Sequence, residues 1–570
     1  MNTGLLAANA TTAEGAGLAI WFLAGTVLVF FMQCGFAMVE TGFTRAKNAG
    51  NIIMKNFVDF CIGSIAFVLV GFYLMKSKAY FSGWVGVPEF DLLKDFDGFL
   101  SSGQCSTFVF GVVFCATATT IAAGALAERT KFSAYCIYSI VMSALVFPIE
   151  AGWVWNSQGW LAKLGFTDFA GSCAIHMVGG ITALIGAYFV GPRIDKYHKD
   201  EKGKTVASAI PGHSIPMAAL GCFILWFGWY GFNGAAASSV TQLGRIFMTT
   251  TLAPAAALIA CMLFTWWKNG HPDVAMCLNA VIAGLVSVTA GCAYLDAVGS
   301  IIIGAVAGIL VVIGTEFIDK KLHIDDPVGA VAVHGISGIW GTFAIGLFDT
   351  ELGLFYSGTF NLLVVQLLGI VAIAAFTAAC MTLTFFLLKK FVGLRVSKED
   401  EILGLDMSEH GLPAAYADFQ LAAPVHTVED EFDLDLDDLE PVVITDAAER
   451  SGERYTKITI ICNEDKFGVL KDAMAVIGVT GMTVSNVVGC GVQKGRSGSY
   501  RGVRMSMNLL PKVQVDIVVS TVDPGLVVAA AQRALHSGQV GDGKIFVTDV
   551  TDVMRVRTGS MGKKALNDED

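Results

Sequence analysis

Two histidines stand where ionisable side chains are rarely found. His176 follows Asp168 by eight residues in Asp168-Phe169-Ala170-Gly171-Ser172-Cys173-Ala174-Ile175-His176, and His334 follows Asp326 by eight in Asp326-Pro327-Val328-Gly329-Ala330-Val331-Ala332-Val333-His334. Each lies in an apolar stretch long enough to cross a bilayer, where an ionisable group is costly and needs a reason. One such histidine can be satisfied by a helix carbonyl; two at matched spacing point to a single lumen that both line. Two neutral imidazoles in contact share one N–H···N bond and leave one donor and one acceptor over. That suits a small polar solute able to gain or lose a proton, because a doubly protonated pair would repel itself.

Aromatic residues accompany them: Phe114, Phe232, Trp153 and Trp155. Most membrane aromatics pack or mark the interface. Trp155, near the outer mouth, can instead hold a cation on its ring face for about 0.5–2 kcal/mol. Taking that cation to the bilayer centre costs from about 3 to more than 10 kcal/mol. A cation recruited at the mouth must therefore shed its charge, or have it carried separately, further in.

The elements that hold these residues are apolar spans. The chain has 570 residues, 54% hydrophobic and 15% charged, with a mean hydropathy of +0.61; a soluble chain this long would need more charge. Eleven spans are expected, at about 17–39, 53–75, 106–127, 132–151, 171–191, 214–233, 246–267, 274–292, 299–318, 329–348 and 360–388. The aspartate–histidine phrase opens spans five and ten. Spans 1–5 and 6–10 then form two halves of opposite orientation, an inverted repeat whose shared site lies near the midplane. The 63 glycines suit close helix packing in lipid.

Basic residues set the orientation. Arg45, Lys47, Arg129, Lys131, Arg193, Lys196, Lys199, Lys202, Lys204, Lys268, Lys320 and Lys321 fall on one side, against Lys76, Lys78, Lys94, Lys163 and Arg245 on the other. The N-terminus is expected outside and the C-terminus in the cytoplasm, with no basic leader ahead of the first span. The 13 cysteines are scattered without paired spacing and read as small buried residues. The net charge of −11 owes much to the run from Glu429 to Glu440, and no basic patch points to nucleic acid.

Residues 1–392 form the membrane block, 393–417 a polar region belonging to it, 418–453 an acidic linker and 454–570 a soluble domain. That domain reads β-α-β-β-α-β, a ferredoxin-like α+β order: strands at 455–462, 482–489, 510–520 and 544–550, helices at 466–477 and 524–536. Val513, Val515, Ile517 and Val519 share one strand face. The polar, glycine-rich stretch 490–507 is longer than a hairpin needs, which suggests function.

At this point two resemblances emerge. Phe36-Ala37-Met38-Val39-Glu40-Thr41-Gly42-Phe43-Thr44-Arg45-Ala46-Lys47-Asn48, Gly124-Ala125-Leu126-Ala127-Glu128-Arg129, the Asp168–His176 phrase, Gly228-Trp229-Tyr230-Gly231-Phe232-Asn233 and Val333-His334-Gly335 resemble the Amt/Mep/Rh ammonium transporters over about residues 15–415. That resemblance implies a homotrimer in the bacterial inner membrane, surrounded by lipid, with one pore per subunit. Phe114 and Phe232 would be its gate, His176 and His334 its twin histidines. Trp155 would belong to the outer ammonium site, with Asp168 below it. The mechanism implied is recruitment of ammonium, deprotonation and conduction of ammonia. Ala236 stands where some bacterial members have a serine of the outer site.

The second resemblance is to PII-type (GlnB/GlnK-like) nitrogen regulators over 456–559, carried by Gly478-Val479-Thr480-Gly481-Met482, Gly489-Cys490-Gly491-Val492-Gln493, Tyr500-Arg501-Gly502, Leu510-Pro511-Lys512-Val513, Gly541-Asp542-Gly543-Lys544 and Arg555-Val556-Arg557. It implies ATP or ADP in clefts between subunits, bordered by Thr480, Met482, Gly489, Gly491, Gly541, Gly543, Lys544, Arg555 and Arg557. Gln493 would help hold Mg with ATP and 2-oxoglutarate, and Lys512 would sit near the 2-oxoglutarate site. Met505 replaces the family's common uridylylation tyrosine, and Val492 and Gln539 replace basic residues. Arg501 matches a loop-tip arginine that enters the transporter's cytoplasmic mouth, so the domain would contact its own transporter. The roughly 35-residue linker reaches about 30–35 Å, an effective concentration of about millimolar. An ammonium sensor signalling through the soluble domain is the alternative. No activated nucleophile or water marks an enzyme.

Overall fold

The computed structural model describes residues 13–87, 104–200, 202–412, 415–416, 455–489, 497–500, 503–506, 510–538 and 541–566. The chain divides into two compact units, Met1–His410 and Gly411–Asp570.

The first unit is helical: α1 Ala13–Phe43, α2 Ala46–Lys76, α3 Gln104–Ala125, α4 Phe132–Leu164, α5 Ser172–Val190, α6 Ile215–Gly234, α7 Val240–Asn269, α8 Val274–Thr289, α9 Ala297–Lys320, α10 Val331–Phe348 and α11 Asn361–Phe391. Ten are long and apolar enough to cross a membrane; α8 is the shorter one, with 16 residues. It lies where the eighth span is expected. Every residue from Asn279 to Thr289 is buried, so α8 is a core helix enclosed by its neighbours. The outer helices instead leave Ile20, Val27, Phe57, Phe223, Trp267 and Val371 exposed, an apolar surface that fits lipid.

Small residues let these helices touch backbone to backbone. A Cβ on Gly42 of α1 would lie 2.6 Å from the Ala218 nitrogen of α6, and one on Gly304 of α9 would lie 2.0 Å from the Ala253 oxygen of α7. The two histidine helices also meet at glycines: a Cβ on Gly180 of α5 would lie 2.1 Å from the Gly335 nitrogen of α10.

One end of the unit is pinned by buried charge. Arg193 bonds Glu128 at 2.9 Å and Asp325 at 2.8 Å, and Arg45 also pairs with Glu128. Burial pushes the Glu128 carboxyl up, but the Arg193 and Arg45 guanidiniums outweigh it and hold the group down at about 2. The same guanidinium of Arg193 keeps Asp325 below the usual carboxylate range against the effect of burial. Two short helices, α12 Lys398–Leu403 and α13 Leu405–His410, dock at this end. The Asp406 carboxylate accepts from the Gly50 and Asn51 amides at 3.0 and 2.8 Å, and His410 meets Asn51 at 2.9 Å. Burial raises the Asp406 carboxyl to about 6 in spite of those two donors.

The second unit has strands β1 Tyr455–Cys462, β2 Thr483–Gly489, β3 Leu510–Val519 and β4 Gly543–Val550, with helices α14 Phe467–Val476 and α15 Pro524–Leu535. The sheet is antiparallel in the order β4-β1-β3-β2. Val513, Val515, Ile517 and Val519 are all buried and pack with Leu470, Met474 and Val527 of the helices. Alternation along β3 therefore sets one apolar face under both helices. The stretch between β2 and β3 contains a small hairpin, Ser497–Tyr500 with Val503–Ser506.

Candidate functional site

The two aspartate–histidine phrases fold alike. Asp168 ends its approach with both carboxylate oxygens accepting backbone amides, from Gly171, Ser172, Cys173 and Ala174, each at 2.9 Å. Asp326 accepts from Gly329 at 3.0 Å and Val331 at 2.8 Å, with the Ala330 amide facing the same carboxylate. These are the unpaired donors at a helix start, and a carboxylate satisfies them well. The third residue after each aspartate is a glycine in the left-handed region, Gly171 at φ 111° and Gly329 at φ 81°. Each span then opens with one wide π turn, Ser172–Met177 and Val331–Ile336, and the histidine lies in it. Such turns often mark functional positions.

These turns bring the histidines together. The Nδ1 atoms of His176 and His334 are 3.2 Å apart, and the rings lie 5.2 Å centre to centre at 21°. One of the two Nδ1 atoms must carry the shared hydrogen. His176 is fully buried, and its Nε2 has no hydrogen-bond partner among the described residues.

A column of rings leads to the pair. The Trp155 ring meets Phe114 edge-on at 5.9 Å, and its Nε1 donates to the Asp168 carbonyl at 2.8 Å. Phe114 and Phe232 stack at 4.5 Å and 7°. Phe232 is 5.5 Å from His176, and Phe36 is 5.9 Å from His334 on the other side. Beyond His334 the chain encloses a cavity lined by Phe36, Glu40, Leu225, Asn279, Val328 and His334. Stacked phenyl rings exclude a hydrated ion, so anything passing them must be small and largely desolvated. The imidazole pair can then exchange a proton with it.

The structure thus gathers all six sequence-derived membrane residues, His176, His334, Phe114, Phe232, Trp155 and Asp168. Asp168 differs from the rest in having both oxygens committed to the turn of its own span. Sequence reasoning missed Trp229, whose ring stacks on His176 at 5.1 Å and 19°. It also missed Glu40. Both lie inside segments that carried the family resemblance, but neither has a spacing that singles it out.

In the second unit the sheet register separates the expected ligand residues into two groups. Cys462 pairs with both Gly543 and Val513, so Gly541, Gly543, Lys544 and Lys512 lie at one sheet end, along with Gly489 opposite Leu510. The Lys512 ammonium donates to the Gly541 carbonyl at 2.9 Å and also bonds Asn463. Gly541 and Gly543 have φ of 118° and 133°, and a Cβ on Gly543 would lie 2.1 Å from the Ile461 oxygen. This is a backbone cradle beside a lysine, which fits an anionic group such as phosphate. Thr480 and Met482 instead precede β2, whose first residue pairs with Asp516. Arg555 and Arg557 follow β4, whose last residue pairs with Tyr455 at the far end. Within one chain these two groups do not converge. Gly491, Gln493 and Arg501 lie outside the described residues.

Residues 20–415 match the Ammonium Transporter Family, and residues 455–560 match the nitrogen regulatory protein P-II. Ammonium transporter Amt2 of Archaeoglobus fulgidus is 42% identical over 426 residues, covering 70% of this chain and 88% of the relative. Ammonium transporter 3 of Dictyostelium discoideum is 36% identical over 407 residues, covering 69% and 92%. Among solved structures, one described as a sensor Amt protein superposes with a TM-score of 0.64 at 37% identity, covering 69% of this chain and 98% of that one. Candida albicans Mep2 gives 0.61 at 25% identity, covering 72% and 94%.

Proposed function

Because the chain belongs to the Ammonium Transporter Family and carries a P-II domain behind its membrane unit, we propose that it moves ammonium across a membrane under control of that domain. The observation that carries this reading is the 3.2 Å contact between His176 and His334 at the end of the Phe114–Phe232 stack. Ammonium is recruited beside Trp155, gives a proton to the imidazole pair where the phenyl stack ends, and goes on along the lumen as ammonia. A lumen of apolar rings favours the neutral species, since ammonia alone avoids the cost of a buried charge. The imidazole pair offers ammonia one donor and one acceptor and so replaces part of its lost hydration.

The membrane unit is an eleven-span inverted 5+5 repeat with α8 as the eighth span, assembled as a homotrimer in a bacterial inner membrane. The alike folding of the two aspartate–histidine phrases supports the repeat. Its N-terminus is outside, and the end that α13 docks on faces the cytoplasm. The domains are the membrane block 1–392, its tail 393–417, the linker 418–453 and the regulatory domain 454–570.

In the regulatory domain, ATP or ADP binds between subunits. Two residue groups at opposite sheet ends of one chain support such a cleft, because neighbouring copies bring unlike ends together. The cradle at Gly541–Lys544 takes phosphates, Arg555 and Arg557 of a neighbour add charge, and Thr480 and Met482 border the base. Gln493 holds Mg with 2-oxoglutarate, with Lys512 close by. Arg501 enters the cytoplasmic mouth and blocks it by charge and bulk. Flux into proteoliposomes measured with ATP, ADP and 2-oxoglutarate, singly and together, tests this. At least about tenfold modulation is expected, abolished by R501A; equal flux in every condition would overturn cis regulation.

A second reading is favoured by one observation, the superposition on a structure described as a sensor Amt protein. On that reading the membrane unit binds ammonium and signals through the P-II domain with little transport. Saturable ammonium binding without flux would decide for it.

A further inference from the structure

The membrane unit buries acidic and basic groups that the twin-histidine route does not use. Glu40, one turn from the end of α1, is 3% exposed and lines the same cavity as His334. Its Oε2 accepts from the Asn56 amide at 2.9 Å. The Asn56 Oδ1 accepts from the Thr120 hydroxyl at 3.0 Å, and Thr120 lies within hydrogen-bonding reach of Asp59. The Asp59 carboxylate accepts from the Tyr135 and Ser139 hydroxyls. Lys55 is 1% exposed on the same helix, 5.4 Å from the Tyr135 ring and 3.4 Å from the Thr130 oxygen.

A carboxylate in the interior of a membrane protein is expensive, and apolar packing would serve α1 better if Glu40 only filled space. Its placement has two features that packing does not require. It opens onto the cavity that His334 also faces, on the side away from the phenyl stack. Its other oxygen is steadied by an amide that cannot itself pass a proton on, so Asn56 positions the carboxylate and Glu40 is where a proton from the cavity stops.

We propose that Glu40 is the proton acceptor beyond the twin histidines, the station where the proton stripped from ammonium rejoins ammonia. This rests on the transport reading above. At the pair, an N–H bond of ammonium breaks as an N–H bond forms on an imidazole, leaving ammonia; that protonated imidazole then loses its N–H bond as an O–H bond forms on Glu40 across the shared cavity, restoring the neutral imidazole. Ammonia that has passed the pair then takes that proton, leaving carboxylate and ammonium. No other reactant is needed, and one positive charge crosses per ammonium moved. Among the described residues, the titratable groups that face Glu40 are His334 across the cavity and Asp59 and Lys55 from α2; α3 offers the Thr120 hydroxyl and the Gly124 backbone.

The test is ammonium-evoked current from the full chain in proteoliposomes on a supported membrane, read across pH, alongside ammonium uptake. E40Q keeps the shape and the Asn56 contact but cannot take a proton; its current should fall at least about tenfold. It should also lose the wild-type dependence on pH. E40D retains a carboxylate and should recover most of both. Current in E40Q within twofold of wild type, with the same pH profile, would overturn the proposal. So would E40D as inactive as E40Q, since that marks a packing role. Uptake by the wild-type chain without current would overturn this inference and leave the transport reading standing. Neither uptake nor current in the wild-type chain would sink the transport reading itself.

Discussion

The segments 168–180 and 326–338 are built to one plan yet face different surroundings. Both cap a π turn with an aspartate, bend at a left-handed glycine and deliver a histidine. His176 is then enclosed by Trp229 and Phe232 and leaves its Nε2 without a partner among the described residues. His334 has Phe36 on one side and otherwise borders a cavity containing Glu40 and Asn279. Two imidazoles whose Nδ1 atoms are 3.2 Å apart thus divide an aromatic side from one that carries a carboxylate. A repeated backbone supplies the symmetry of the site, and the neighbouring helices supply its direction.

That contrast can be broken at the histidines first. H176A and H334A should each lower ammonium flux by about 100-fold, the loss of a positioned proton-exchange group. The two should differ in pH dependence: H176A leaves His334 on the cavity that Glu40 also lines, whereas H334A removes the imidazole that borders it. Identical pH profiles of residual flux would erase the distinction. A smaller effect is expected at the caps. Asp168 holds four amides at 2.9 Å; Asp326 holds two at comparable distance and faces a third, from Ala330. D168A should cost about 3 kcal/mol and D326A less, read from thermal unfolding of the detergent-purified protein. A larger loss in D326A would reverse the ranking. The smallest effect belongs to the flanking rings. W229L removes the stack on His176, and F36L removes the contact to His334; each should change flux only a few-fold. Of the two, W229L should matter more because its ring lies nearly parallel to the imidazole.

Much of this was legible in the residues. Matched spacing from Asp168 to His176 and from Asp326 to His334 named the pair before any coordinates, because a histidine inside an apolar run has few inexpensive explanations. Alternation along Val513–Val519 gave a strand face that is indeed buried. Glu40 was not legible as a cavity group: a lone carboxylate near a helix end reads as an interfacial residue, and only the packing of α1 against α2 and α3 turns it inward. Trp229 looked like any membrane aromatic, since stacking on an imidazole depends on tertiary placement that spacing does not encode. The division of the ligand residues between opposite sheet ends was invisible for another reason. Sequence order says nothing about strand register, and Gly541 and Arg555 are close in the chain but sit at opposite ends of β4.

Gly180 and Gly335 have a further consequence. Where α5 and α10 cross, main chain rests on main chain, so two peptide planes set how closely the backbones that carry the imidazoles approach. A single methyl at Gly180 would act as a shim, prising the two rings apart while leaving every lining residue unchanged.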